Sequence, residues 1–405
     1  MLEAGDYDQA YLEELKTKGF PPEKPIAPLE YEDHQPPLYY LIMAVIYVTF
    51  DPAQDGPGQD ARATLLALRL ASLALGAGIV ACAYVLAGEL FPERPFLALT
   101  TAGFVAFVPQ HVAVMAGVSN DSLAGLIAGL ALILLVRYIR PREAVPRGYV
   151  RETHGEQIGV VIGLGFLTKT TIYFLPFLAA LALVWRWRQE GWTARRAARE
   201  ALRMFLPALL LGALWWGRNL AVYGWPDFFA LQRHEAVVIG QPRTVEWIAQ
   251  LGPAEVVRRL LLTTFNSWWG QFGWMGVVMD RRVYLALLIF TLGIGAGLMC
   301  LLFARRIVSL STFERKGVAL LALTLFSSLA LYLGYNATFV QHQGRYLFSA
   351  IIPTALGAAA GLSAYGLVAA RVFKRPLAWL PLMAIALMAV LDVFALFRFI
   401  VPALK

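Results

Sequence analysis

Charge is scarce in this sequence. Of its 405 residues only 15% are Asp, Glu, Lys or Arg, and 59% are hydrophobic, against roughly 25% and about 45–50% in soluble domains. That balance excludes a chain of soluble domains and a charged, disordered tail. Cysteine is nearly missing: Cys82 and Cys300 both fall in apolar stretches, so no extracytoplasmic disulfide framework is expected. No two of the five histidines stand at i, i+4, the spacing that sets two metal ligands on one helix face. No internal repeat of useful length is visible, which disfavours a transporter built from repeated halves around a midplane site.

What the sequence has in quantity is apolar length. Runs such as 64–86, 201–222 and 377–400 reach or exceed the roughly 20 residues needed to cross a bilayer. The net charge of +8 could suit nucleic acid, but its placement does not. Basic residues gather in short segments between apolar runs: Arg137, Arg140, Arg142, Arg147 and Arg151; Arg186, Arg188, Arg195, Arg196, Arg199 and Arg203; Arg305, Arg306, Arg315 and Lys316; and Arg371, Lys374 and Arg375. Short Lys/Arg-rich loops mark the cytoplasmic side. The expectation is therefore an all-α, multi-pass bundle in the cell membrane, with spans near 63–88, 96–116, 121–138, 158–168, 170–186, 201–222, 283–303, 317–336, 346–370 and 377–400.

Parity then fixes the topology. The loops 139–157 and 187–200 both lie inside, so 158–186 is a tight hairpin with Lys169 at its outer tip. Its first arm is shorter than a full span, which suits a helix ending at a membrane-embedded cavity. Ser119-Asn120-Asp121, the long 223–282 loop and the polar turn Gln341 to Arg345 fall outside. Residues 1–62 form a first extracytoplasmic loop, and 63–405 the transmembrane domain. Within that loop 38–50 reads as a helix along the outer interface, anchored by Tyr39 and Tyr40 and followed by Asp51, Asp55 and Asp60; a tilted span is the alternative. Because the chain starts outside, a preceding transmembrane helix is expected to be missing.

The first loop reads Asp6-Tyr7-Asp8 and then Glu32-Asp33-His34-Gln35-Pro36-Pro37-Leu38-Tyr39-Tyr40. Further along come Arg69-Leu70-Ala71-Ser72, Ser119-Asn120-Asp121, Leu167-Thr168-Lys169, Trp216-Gly217-Arg218-Asn219, Tyr223-Gly224, the run from Phe265 to Trp274 and Gly344-Arg345-Tyr346-Leu347-Phe348. In this order the motifs resemble the GT-C superfamily of polytopic membrane glycosyltransferases, in particular its protein mannosyltransferase and aminoarabinose transferase-like group. The resemblance covers nearly the whole chain. It implies transfer of a sugar from a polyprenyl-phosphate donor to an acceptor (glycan, lipid or protein) on the extracytoplasmic face.

Such chemistry needs a base for the acceptor hydroxyl and cations for the phosphate leaving group in a dry site. The resemblance points to Asp6 or Asp8 as base, although the usual acidic pair is followed by a His that is not found here. Asp121 stands at the second acidic motif, where helix N-capping competes with a site role. Lys169 and Arg345 are the candidate phosphate clamps; snorkelling or interfacial anchoring is the plain alternative. His34, Gln35, Asn120, Arg218, Asn219 and Tyr346 are candidate substrate contacts, Arg218 and Asn219 competing with a helix C-cap. Related enzymes often carry Lys where Gln35 stands. A divalent ion held by His34, Glu32 and Asp33 is a minority reading. Asp392 is expected to pair with Arg398, and Trp268, Trp269 and Trp274 to form an interfacial belt. The rival functions are a non-catalytic subunit with a degenerate transferase fold and a lipid or sugar transporter.

Overall fold

The structure, a computed structural model, describes residues 9–18, 24, 34–50, 62–141, 154–237, 242–273, 275–303 and 309–403. Its helices run α1 (Gln9–Thr17), α2 (Leu38–Thr49), α3 (Arg62–Leu90), α4 (Pro95–Ala106), α5 (Pro109–Met115), α6 (Asp121–Ile139), α7 (Gly155–Phe166), α8 (Leu175–Glu190) and α9 (Ala194–Tyr223). There follow α10 (Leu231–Val237), α11 (Thr244–Leu251), α12 (Pro253–Gly270), α13 (Arg281–Phe303), α14 (Thr312–Thr338), α15 (Ile351–Phe373), α16 (Pro381–Ala395) and α17 (Val401–Ala403). One small antiparallel ribbon joins β1 (Gln271–Phe272) to β2 (Val277–Val278), with Gln271 opposite Val278.

Among the described residues eight helices are long and apolar enough to cross a membrane. The protein is an integral, multi-pass membrane protein. Two of the ten expected spans take another form. The stretch 96–116 is broken: α4 and α5 meet at 64°. Pro109 opens α5, and a proline at the first turn cannot donate into the ladder of the helix before it. The stretch 158–168 corresponds to α7, which has only 12 residues and stops at the bend carrying Lys169.

The ends of the helices sort by chemistry. At one end Arg137 and Arg140 both hold Glu89, and Arg140 also lies over Phe313 at the start of α14. Close by, Arg186 pairs with Glu190 and stacks on Tyr138, Arg203 reaches Glu156 and Glu200, and Lys316 donates to Gln189. This basic end gathers the termini of α3, α6, α7, α8, α9 and α14. The opposite end carries the candidate site. Helix α2 starts there, with Leu38 N–H donating to Leu167 O at 2.8 Å, and finishes there, with the Thr64 hydroxyl donating to Phe50 O. Twelve residues of helix span about 18 Å, short of the roughly 30 Å apolar core. Both ends of α2 thus sit at one end of the bundle, with Leu41, Val45 and Val48 exposed and Tyr39 and Met43 buried.

Helices α7 and α9 approach closely because Gly159 has no side chain. A Cβ there would collide with the Met204 carbonyl, and small residues at such a crossing are how membrane helices gain contact without a hydrophobic driving force. Two expectations fail inside the bundle. Trp269 is fully buried rather than interfacial, edge-on to Trp268 at 4.9 Å and packed on Phe104 and Phe290. The cause is that α12 turns its aromatic face onto α4, α5 and α13; Trp274 lies outside the described residues. Asp392 does not pair with Arg398, whose guanidinium lies 5.8 Å from the Phe399 ring centre. Residues i and i+6 do not share a helix face, and a π-turn at Leu396–Ile400 intervenes.

Candidate functional site

The site begins with an ion pair. Lys169 Nζ lies 2.5 Å from Asp121 Oδ1, and each side chain is only 12% exposed. The ammonium also donates to Asn120 Oδ1 at 2.8 Å. Lys169 is extended, between the end of α7 and the 3₁₀ turn Thr170–Ile172 that leads into α8. Its chain therefore points across to α6 and does not run along the interface. Asp121 is the first residue of α6, but its carboxylate accepts from Lys169 and from the Ser119 hydroxyl at 3.1 Å, and no side-chain cap stands at Asn120. An intramembrane cation and carboxylate at such a position are costly unless paired or functional, and the pair answers that cost.

Three elements frame the pair. Helix α2 contributes Tyr40, whose hydroxyl accepts from Asn120 Nδ2 at 3.3 Å, while its neighbour Tyr39 shares a 2.7 Å hydrogen bond with Ser72 of α3. Burial pushes the Tyr39 phenol up from its ordinary range. The second element is the 3₁₀ segment Gly344–Ala350, which packs on α6 and α12. Arg345 on this segment interacts electrostatically with Asp121 and covers the Tyr346 ring at 5.3 Å. Gly344 lets the segment in: a Cβ there would meet Trp268 N at 2.5 Å and Trp268 Cα at 2.6 Å. Its N–H donates to Ser267 Oγ at 2.7 Å. The third element is α5, where buried His111 packs edge-on against Phe348 at 5.5 Å, and Gln110 accepts from Gln271 N at 2.8 Å.

The other candidates fall elsewhere. His34 is buried with its ring 5.2 Å from that of His234 in α10, whose Nε2 meets the Tyr335 hydroxyl at 3.3 Å. Gln35 follows at the start of α2, half-buried. Arg218 contacts the Tyr223 hydroxyl at 2.6 Å and stacks on Trp215, and buried Asn219 donates to Phe228 O at 3.0 Å. These two residues tie α9 to the turn that follows it. Asp6, Asp8, Glu32 and Asp33 lie outside the described residues. Among the described residues no group of three His, Cys, Asp or Glu could hold a metal ion; Glu32 and Asp33, the expected partners of His34 around a divalent ion, are outside them.

The sequence reading missed His111, Gln110 and Ser267, and it took Tyr40 for an interfacial anchor without its contact to Asn120. Pro109-Gln110-His111 inside an apolar run was the available signal: a proline and two polar side chains where a straight span would tolerate none. It also missed a cleft of about 390 Å³ between α11, α12 and the 340–343 turn, lined by Trp247, Arg259, Thr263, Gln341, His342 and Gln343.

Residues 35–216 match the family model of dolichyl-phosphate-mannose-protein mannosyltransferases. No curated protein matches the chain. Several solved structures resemble it distantly, three of them as follows. ArnT from Cupriavidus metallidurans bound to undecaprenyl phosphate shares 16% identity over 90% of this chain and 60% of its own, with a TM-score of 0.48. The Archaeoglobus fulgidus oligosaccharyltransferase with Zn and sulfate shares 16% over 87% and 43%, with a TM-score of 0.45. The same organism's AglB with an inhibitory peptide and a dolichol-phosphate shares 14% over 89% and 46%, with a TM-score of 0.45. The chain thus spans 60% of the length of the first and under half of the others.

Proposed function

We propose that this GT-C-like chain is a glycosyltransferase of the plasma membrane that moves a sugar from a polyprenyl-phosphate donor to an acceptor on the extracytoplasmic face. The observation that carries this reading is the Lys169–Asp121–Asn120 cluster, with Arg345 beside it, at the end of the bundle opposite the basic clusters. An ammonium has three donors. Asn120 and Asp121 take two of them, leaving one for a phosphate oxygen. Arg345 adds a planar fork suited to the same group. In the reaction a carboxylate removes the acceptor hydroxyl proton, the oxygen bonds to the sugar C1, and the C1–O bond to phosphate breaks. Lys169 and Arg345 then hold the polyprenyl phosphate as it leaves. A carboxylate fixed by an ammonium is a weak base, so Asp121 orients Lys169 and the sugar, while Asp6 or Asp8 takes the proton. Tyr346, whose ring lies under Arg345, stands beside the clamp, while Arg218 and Asn219 are engaged within α9 and the turn after it.

The test is sugar release from a polyprenyl-phosphate donor by the purified chain. Lys169→Met removes the charge and roughly keeps the stem, so donor binding should weaken. Asp6→Asn/Asp8→Asn should abolish turnover without changing donor binding, because base catalysis contributes about 10²–10⁴-fold. Wild-type turnover in both variants would overturn the assignment. The sidedness is tested separately: single cysteines at Val118 and Trp225, both exposed, should be labelled from outside intact cells, and labelling only from the cytoplasm would invert the topology.

A further inference from the structure

The cleft beside the 340–343 turn is made by that turn and by α11 and α12, which are consecutive in sequence but far from it. Val340 N–H donates to Pro242 O at 2.9 Å, Arg243 bridges to Phe339, and the Thr244 hydroxyl donates to Asn336 O. These bonds clamp α11 and its Trp247 against the turn. One wall is Trp247, with the Arg259 guanidinium 5.4 Å from its ring centre and the His342 ring edge-on at 5.8 Å. Arg259 is steered there by Glu255, which accepts from its Nε at 2.8 Å. Thr263, the mutually bonded amides of Gln341 and Gln343, and the apolar Met275 and Val340 complete the lining. His342 is buried to 7% exposure, yet among the described residues no hydrogen bond engages its ring nitrogens. His342 is one of the residues that line the cleft.

We propose that this cleft binds a pyranose ring. An aromatic face suits the C–H face of a sugar, and the imidazole, hydroxyl, amide and guanidinium groups around it supply both donors and acceptors for ring hydroxyls. Its size lies at the lower end of small-ligand pockets, about 300–1,000 Å³, and its lining mixes polar and apolar groups as a sugar's two faces require. The turn that lines it continues directly into Gly344 and Arg345, so an occupant sits beside the phosphate clamp. The role rests on the transferase reading, with the ring supplied either by the donor or by a glycan acceptor; the binding itself does not rest on it.

The experiment titrates the purified full chain in detergent with the methyl glycosides of mannose, glucose and galactose, following ligand signals by saturation-transfer NMR, with glycerol as an open-chain control. At least one glycoside should bind saturably in the millimolar range. Binding should weaken about tenfold in Trp247→Ala and fall in His342→Ala, return in Trp247→Tyr, and persist in Lys169→Met. Saturable binding by none of the three, or equal binding in Trp247→Ala, overturns the proposal. Turnover separates the two sources. If Trp247→Ala slows hydrolysis of the donor without acceptor, the cleft holds the donor sugar; if it slows only transfer, the cleft holds the acceptor. Glycoside binding by a chain with no turnover sinks the transferase reading and leaves the cleft standing. Turnover without glycoside binding sinks the cleft alone.

Discussion

The two ends of the bundle use charge in opposite ways. At the basic end arginines outnumber acids and burial varies from pair to pair: Arg203 and Glu156 meet at 3.4 Å with both side chains about half exposed (50% and 48%), whereas Arg186 and Glu190 meet at 2.8 Å with 14% and 16% exposed. At the other end, Lys169 and Asp121 meet at 2.5 Å with 12% exposure each, among amides and hydroxyls. Exposed pairs are screened and contribute about 0–1 kcal/mol, so the Arg203–Glu156 pair tolerates loss of either partner. A buried pair is poor evidence of net stabilisation, yet removing one member leaves an uncompensated charge. The contrast separates charge that places the protein in the bilayer from charge that serves a site.

The sharpest way to break this comparison is a double-mutant cycle. Asp121→Leu should destabilise the detergent-solubilised protein by about 3–5 kcal/mol, because Lys169 is left buried and unpaired. Asp121→Leu/Lys169→Met should recover much of that loss, since an apolar pair of similar volume often replaces a buried ion pair without penalty. Glu156→Gln at the basic end should cost at most about 1 kcal/mol. Equal losses for Asp121→Leu and Glu156→Gln in thermal unfolding would erase the distinction drawn here.

Glycines sharpen it next. Gly344→Ala pushes a Cβ into the backbone of α12, an overpacking that typically costs about 1–3 kcal/mol and displaces Arg345. Donor affinity should therefore fall together with stability. Gly88→Ala, in α3 toward the basic end, meets nothing within 4 Å. It should stabilise the helix by about 0.5–1 kcal/mol with donor affinity unchanged. Unfolding midpoints and donor binding on the same two variants check both halves; a stable Gly344→Ala that binds donor normally would remove the packing argument for the 3₁₀ segment.

The same contrast explains what could be read without a structure. Helix positions and the sorting of ends follow from hydropathy and arginine placement, which are local properties of the chain. Lys169 stood out because a lone cation in an apolar hairpin demands a partner, and Asp121 because an acid at a span boundary does. Their pairing needed only a shared end. The break between α4 and α5 was written in Pro109 but hidden by the hydropathy of its surroundings. The Trp247–His342 cleft was not legible, since its walls are 95 residues apart in sequence and meet through a backbone bridge that no periodicity announces. Likewise His34 points to His234, a partner that no local rule would select. Asp6 and Asp8, which the resemblance makes the base, lie outside the described residues, so their place rests on sequence alone.

The smallest expected effect concerns pH at the site end. Burial lowers the pKa of His342, so its imidazole is harder to protonate in the folded protein than in the unfolded chain, where histidine titrates near 6.5. Between the lowered folded value and about 6.5 the unfolded state binds more protons, so stability rises with pH through this window. The contribution is complete above about pH 6.5 and is lost as pH falls toward the folded value. His342→Gln keeps a polar side chain and abolishes this titration, so its unfolding midpoint should vary less between pH 5 and 7 than that of the unmodified protein. Glycoside affinity should fall only as pH drops through the lowered folded value, since a protonated His342 can no longer accept a hydrogen bond from a sugar hydroxyl. A pH slope equally steep in His342→Gln would show that another group governs it, and would detach the imidazole from the cleft's chemistry.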